Sequence, residues 1–241
     1  MNREVFSCLV IKLARNPAQS LVVMALWLRL ENTGFPNVIS KLASLLDTLF
    51  NAQADEAETC LKWLELENAP VPNSGSLSLT STLIHGETSL QLFSQKRFTA
   101  ITGIKSILNK ICARIFTDIL QNILCSTGTV LPNTYRPSIV PGFPHPLFGP
   151  CDDVTDDDKT MFVTFSRGIP VTEEEVRHLF TNYFGDCIKV LNTGNADTSD
   201  QVLFATMVLK NVETVDRILN GKHIAKFQIN GKHIWTRKYE Q

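Results

Sequence analysis

The chain has 241 residues, 44% of them apolar and 20% charged, and its formal net charge is −1. That length supports one large domain or two small ones with real cores, and the balance is that of an ordinary globular protein. A charge near zero excludes a molecule-wide basic field, so any attraction to nucleic acid must come from local clustering.

The six cysteines (Cys8, Cys60, Cys112, Cys125, Cys151 and Cys187) never occur as C-x-x-C, and the five histidines are scattered. No zinc site, and no other metal or cofactor, is expected. Met1 to Pro17 carries Arg3, Glu4, Lys12 and Arg15 without a small-residue cleavage site, which argues against a secretory signal. The most apolar run, Leu21 to Leu28, stops at Arg29, far short of the roughly 20 residues of a membrane span. The expectation is an intracellular protein, nuclear or cytoplasmic, with reduced thiols and no membrane contact.

Residues 1–128 read as an all-α region. Asn16-Pro17 is an N-cap followed by proline at the first helical position, and the run "AQSLVVMALWLRLENTG" stops at Gly34. Next come "FPNVISKLASLLDTLFNA" and "DEAETCLKWLELENA", the latter with Ala57, Cys60, Leu61 and Leu64 at helical spacing. Pro70 and Pro72 break the pattern, and "NSGSLSLTST" reads as loop. "TAITGIKSILNKICARIFTDILQNILC" predicts one long helix with a stripe of Ile104, Leu108, Ile111, Ile115 and Ile119. Trp27 and Trp63 are expected to fill a helical core, with a partner-binding groove as the alternative.

Residues 129–158 read as a linker. Six of the eleven prolines fall there (Pro132, Pro137, Pro141, Pro144, Pro146 and Pro150), giving a stiff, extended spacer. It ends in "CDDVTDDD", whose spacing is not that of a calcium loop. Solvated linker is the plain reading, and an acidic lid for a basic surface is the alternative.

Residues 159–241 change rhythm. "TMFVTFS" predicts a strand and "VTEEEVRHLFTNYFGD" a helix, with a Thr172–Glu175 capping box and an apolar face of Val176, Leu179, Phe180 and Tyr183. "CIKVLN" is a strand, "TGNADTSD" a polar loop and "QVLFATMVL" a strand. "NVETVDRILNG" is a helix capped by Asn211, and "KHIWTRKY" closes as a strand. The order β-α-β-β-α-β is the ferredoxin-like arrangement, so this region is expected to be an α+β domain.

The phrase NGKHI occurs twice, from Asn220 and from Asn230. The first copy sits where a helix must stop, and the second lies between the β patterns "IAKFQI" and "KHIWTRKY". Two turns explain both, ahead of a metal site from His223 and His233. Lys222, Lys226, Lys232, Arg237 and Lys238 then form a local basic cluster near the end of the chain.

These residues resemble the RNA recognition motif family. Its first-strand signature has an aromatic at the second position, here Phe162 in "MFVTFS". Its third-strand signature is matched in "VLFATMVL" by Phe204, Ala205 and Met207, while Val202, Thr206 and Leu209 depart from it. The whole chain also resembles a poorly characterised plant family that joins a helical half to such a domain, on the phrases "MFVTFSRG" and "INGKHIWTRKY".

Strand alternation puts Phe162, Thr164, Phe204 and Thr206 on an open face, and Met161, Val163, Leu203, Ala205 and Met207 under the helices. With Ile234 and Thr236 inward, Trp235 is expected on the open face beside Phe162. The leading expectation is a non-enzymatic protein that binds RNA or another single-stranded nucleic acid. Phe162, Phe204 and Trp235 would stack bases, and Lys226, Lys232, Arg237 and Lys238 would contact phosphates. The helical region would hold a protein partner. The alternative is a scaffold whose degenerate domain docks a protein. An enzyme is the weakest reading, for want of G-x-S-x-G, a phosphate-binding glycine loop or H-E-x-x-H.

Overall fold

In a computed structural model, residues 1–65, 77–84, 90–126, 154–166, 170–194 and 202–239 are described. The breaks at Pro70 and Pro72, the proline-rich connector to residue 150 and most of the polar loop "TGNADTSD" lie outside them. The chain divides into a helical unit, Met1–Phe93 with Gly103–Asp153, and a second unit, Val154–Gln241 with Ser94–Thr102.

The helical unit begins with α1 (Asn2–Ser7), which runs on into a π-helical turn, Cys8–Lys12. Asn16 then starts α2 (Pro17–Asn32), its Oδ1 accepting from the amides of Ala18 and Gln19 at 3.0 and 3.2 Å. After α3 (Val38–Ala43) comes α4 (Asp47–Glu65), which buries Ala57, Cys60, Leu61 and Leu64 as their spacing requires. Trp27 is fully buried beside Phe50, at a ring separation of 5.8 Å. Trp63 is only half-buried, so of the two tryptophans Trp27 alone serves as a core anchor.

Two expectations fail here for physical reasons. Part of "NSGSLSLTST" is helical, as α5 (Ser78–Ile84). Its free N-terminal amides are satisfied from another element: Glu56 accepts from Leu79 and Thr80 at 3.1 and 2.8 Å. After α6 (Leu90–Gln95), the predicted single helix is broken into α7 (Arg97–Ile107), a π turn (Leu108–Cys112), α8 (Ala113–Ile115) and α9 (Thr117–Ser126). A π turn inserts an extra residue and rotates the face that follows. The buried line therefore runs through Ile101, Ile104, Ile107, Cys112, Phe116 and Ile119, while Leu108, Ile111 and Ile115 are only half-buried. Phe116 stacks on Phe6 at 4.3 Å.

The second unit is α+β. A short 3-10 turn, Asp157–Lys159, leads into β1 (Thr160–Phe165). Then follow α10 (Glu173–Phe184), β2 (Ile188–Thr193), β3 (Phe204–Leu209), α11 (Val212–Leu219), β4 (Ile224–Ile229) and β5 (Lys232–Lys238). The five strands form one antiparallel sheet in the order β2-β3-β1-β5-β4. "IAKFQI" is thus a full edge strand, added to the four that the order β-α-β-β-α-β requires.

One face of the sheet carries the core: Met161, Val163, Ala205, Met207, Leu209 and Ile234 are fully buried against Val176, Phe180, Val215 and Ile218. Leu203 was expected among them, but it precedes β3 and is 38% exposed. Tyr183, expected on the buried face of α10, is 62% exposed. Asn211 caps α11 through the Thr214 amide, and Asn220 (φ 45°) with Gly221 (φ 74°) closes it. Asn230 (φ 49°) and Gly231 (φ 76°) make the β4–β5 hairpin turn. Both NGKHI copies are therefore turns.

Ser94–Thr102 joins this unit through a buried carboxylate. Asp216 of α11 accepts from the amides of Phe98 and Thr99, at 2.9 and 2.8 Å, at the start of α7. Burial lifts its carboxyl above the usual range, and the two amides and Thr99 partly offset that.

The capping box of α10 forms as predicted, and Lys232 and Asn230 also reach Glu175. The Lys232 bond, above all, lowers the Glu175 carboxyl to about 2. A depressed folded value stabilises fully above the ordinary value of 4.5 and ceases to do so as the pH falls toward 2. Acid unfolding of Glu175→Gln should therefore lack a loss of stability that the parent shows in that window.

A second prediction concerns Thr236. It is 1% exposed, packed between Val163 and Ala225, and its hydroxyl has no hydrogen-bond partner among the described residues. Thr236→Val should raise stability by about 1 kcal/mol in urea unfolding, because it removes a buried unpaired group at constant shape. A loss of stability would show that the hydroxyl is in use.

Candidate nucleic-acid interface

The face of the sheet opposite the helices is set by alternation. On β1 it presents Phe162 and Thr164, on β3 Phe204, Thr206 and Val208, and on β5 His233, Trp235 and Arg237. Cross-strand register orders these side chains in two rows. One runs Asn192, Thr206, Phe162, Arg237, Ile224, and the next runs Phe204, Thr164, Trp235, Lys226.

The centre of the face is aromatic. Phe162 and Phe204 stack with centroids 5.6 Å apart and planes 26° apart. Phe162 is half-buried and Phe204 is 46% exposed, so neither ring is sealed in the folded chain. The Arg237 guanidinium lies 5.2 Å from the Phe162 centroid, within cation–π range. His233 and Trp235 lie 5.9 Å apart farther along β5. The backbone of Gly194 meets the Phe204 ring so closely that an added Cβ would fall 2.7 Å from Cζ. A side chain at position 194 would require the Phe204 ring to move.

Trp235 has the expected parity, with Ile234 and Thr236 buried, but a different neighbour. It pairs with Thr164, and Arg237 is the residue beside Phe162. Sequence reasoning passed over Tyr239, whose ring is 6.5 Å from Phe162. The signal was present: Tyr239 continues the parity of Trp235 and Arg237.

The basic cluster is divided by the pleat. Arg237 and Lys226 lie on the open face. Lys232 and Lys238 share the parity of Ile234 and Thr236 and are turned to the other side. Lys232 is paired with Glu175 at 2.7 Å and is 15% exposed. Lys238 donates to the carbonyls of Asp157, Thr160 and Tyr239. This placement puts both off the open face that carries Phe162 and Arg237.

The acidic run is more than a solvated spacer where it is described. Asp156 bridges Lys159 at 3.0 Å and Lys189 at 2.7 Å, and these hydrogen bonds, Lys189 first, lower its carboxyl. Among the described residues, no three His, Cys, Asp or Glu side chains converge as a metal site would require. Among the same residues, no helix is long and apolar enough to cross a membrane. Comparison of the chain with protein-family models, curated proteins and solved structures finds no match.

Proposed function

We propose that the second unit binds single-stranded nucleic acid, RNA first of all, on the open face of its sheet, without catalysis. The observation that carries this reading is the stacked, incompletely covered Phe162–Phe204 pair, flanked on the same face by Trp235, Arg237 and Lys226. Aromatic rings offered on a flat sheet suit bases, whose π-faces stack regardless of sequence. The strand order supports a ferredoxin-like, RNA-recognition-motif-like domain in which β5 takes the fourth-strand place and β4 is an addition.

Among the described residues the face carries two cations, Arg237 and Lys226, which implies a small phosphate count. Affinity for a pool of short single-stranded RNAs should be on the order of micromolar or weaker. It should fall with salt at a log–log slope of about −1.4, the value for two phosphates on a single strand. A titration of the full chain at two salt concentrations tests this, and a salt-insensitive affinity counts against it.

The second reading, a protein-docking sheet, has its own observations. Thr206 stands directly opposite Phe162 where a second stacking ring would be expected, and Arg237 already occupies part of the Phe162 surface. A folded chain that ignores RNA at both salt concentrations would favour it.

A further inference from the structure

We propose that two copies of this chain pair edge to edge through β4, antiparallel and with Phe227 on the two-fold axis. The proposal does not depend on the nucleic-acid reading.

The two edges of the sheet are built differently. On β2 the register slips between Ile188 and Val190, so Lys189 stands out of the ladder, tied to Asp156. A bulge and a lysine are ordinary means of blocking further pairing. β4 carries a lysine, Lys226, but no bulge. Each of its residues pairs regularly with β5, it contains no proline, and its one charge is Lys226. Among the described residues, no strand lies on its outer side.

The hairpin turn fixes which backbone groups face outward. In a two-residue turn with both φ values positive, the flanking residues exchange their backbone hydrogen bonds. Those residues are Ile229 and Lys232. Ile229, Phe227 and Ala225 therefore direct their polar groups to β5, and Gln228, Lys226 and Ile224 direct theirs away from the sheet. These outward amides and carbonyls form a template for a sixth strand.

The strand itself selects its partner. A two-fold axis normal to the sheet brings together only residues of the same parity. Centred on Phe227, the pairing sets Ala225 against Ile229 and Lys226 against Gln228, and the two Lys226–Gln228 pairs supply the backbone bonds. The neighbouring register, centred on Lys226, sets two lysines directly opposite, which is destabilising. Charge thus disfavours the Lys226 register, and the one centred on Gln228 runs Lys226 onto Asn230 in the hairpin turn, which leaves the Phe227 register. In that register the aromatic cluster beside the edge becomes continuous across the axis. Phe227 lies 5.3 Å from Phe180 and 5.9 Å from both Tyr183 and Phe184, and Tyr183 is 62% exposed. The same axis keeps both open faces on one side of the joined sheet.

Sedimentation velocity of the full chain over a concentration series, without nucleic acid, tests the proposal. A concentration-dependent dimer is expected. Gln228→Lys places a lysine opposite Lys226 of the other copy, twice per dimer, and should weaken dimerisation by about two- to thirtyfold. Lys226→Glu combined with Gln228→Lys should restore it. Both positions are exposed, so the variants should fold, which circular dichroism checks. A chain that stays monomeric at all concentrations overturns the proposal, as does a dimer indifferent to Gln228→Lys. A monomer whose Lys226 and Gln228 amides are protected from exchange also overturns it, because a segment of the same chain would then cover the edge.

Discussion

Alanine at both Phe162 and Phe204 should lower the affinity of the full chain for short single-stranded RNA by about thirtyfold or more. Each base–aromatic stack contributes about 1–3 kcal/mol, so two stacks at the low end already give that factor. The rings lie on the side of the sheet away from the core formed by Met161, Val163, Ala205 and Met207. The double variant should therefore keep its far-ultraviolet dichroism and most of its thermal stability. A folded double variant that binds RNA as well as the parent does would remove the aromatic pair from the binding site. The double variant also removes the Arg237–Phe162 contact, so Phe204→Ala alone, which leaves that contact in place, should be measured beside it.

The second large effect is on stability. Asp216→Ala should cost about 2–4 kcal/mol in urea unfolding, because two part-buried amides, Phe98 and Thr99, lose their shared carboxylate acceptor together. Asp216→Asn, which keeps one acceptor oxygen, should fall between. A cost below about 0.5 kcal/mol for the alanine variant would mean that these amides find other partners. Asp216 also determines how the sheet unit should be handled. A fragment beginning at Lys159 would lack the Phe98 and Thr99 amides that this buried carboxylate holds, so the full chain is the proper material for binding work.

Local chemistry made much of this fold legible. Asn16-Pro17, the Thr172–Glu175 box, Asn211 and the two Asn-Gly turns are each decided within four or five residues, and each is found where the sequence places it. Strand parity was equally local, and it put Phe162, Thr164, Phe204, Thr206, Trp235 and Arg237 on one face. What failed depends on contacts distant in sequence. No window around Ser78 announces a helix whose first amides are held by Glu56, and nothing near Phe98 announces Asp216. The π turn at Leu108–Cys112 shifts a stripe that reads as regular in one dimension. Lys232 and Lys238 counted as part of a basic cluster because sequence proximity ignores the pleat. Their parity, taken with Glu175 at the start of α10, sends them to the other side. The neighbour of Phe162 was missed for a related reason: alternation gives the face of Trp235, but only the β1–β5 register gives its partner.

The central claim is that RNA lies on the Phe162–Phe204–Trp235 face, and nuclear magnetic resonance of the full chain tests it most directly. Amide and aromatic shifts would be followed as a pool of short single-stranded RNAs is added. The account predicts that the largest changes fall on Phe162, Phe204, Trp235 and Arg237, with Lys226 following and the helix-facing residues Met161, Val163 and Ala205 nearly still. Shifts confined to α10 and α11, or none at millimolar RNA with the chain folded, would contradict it.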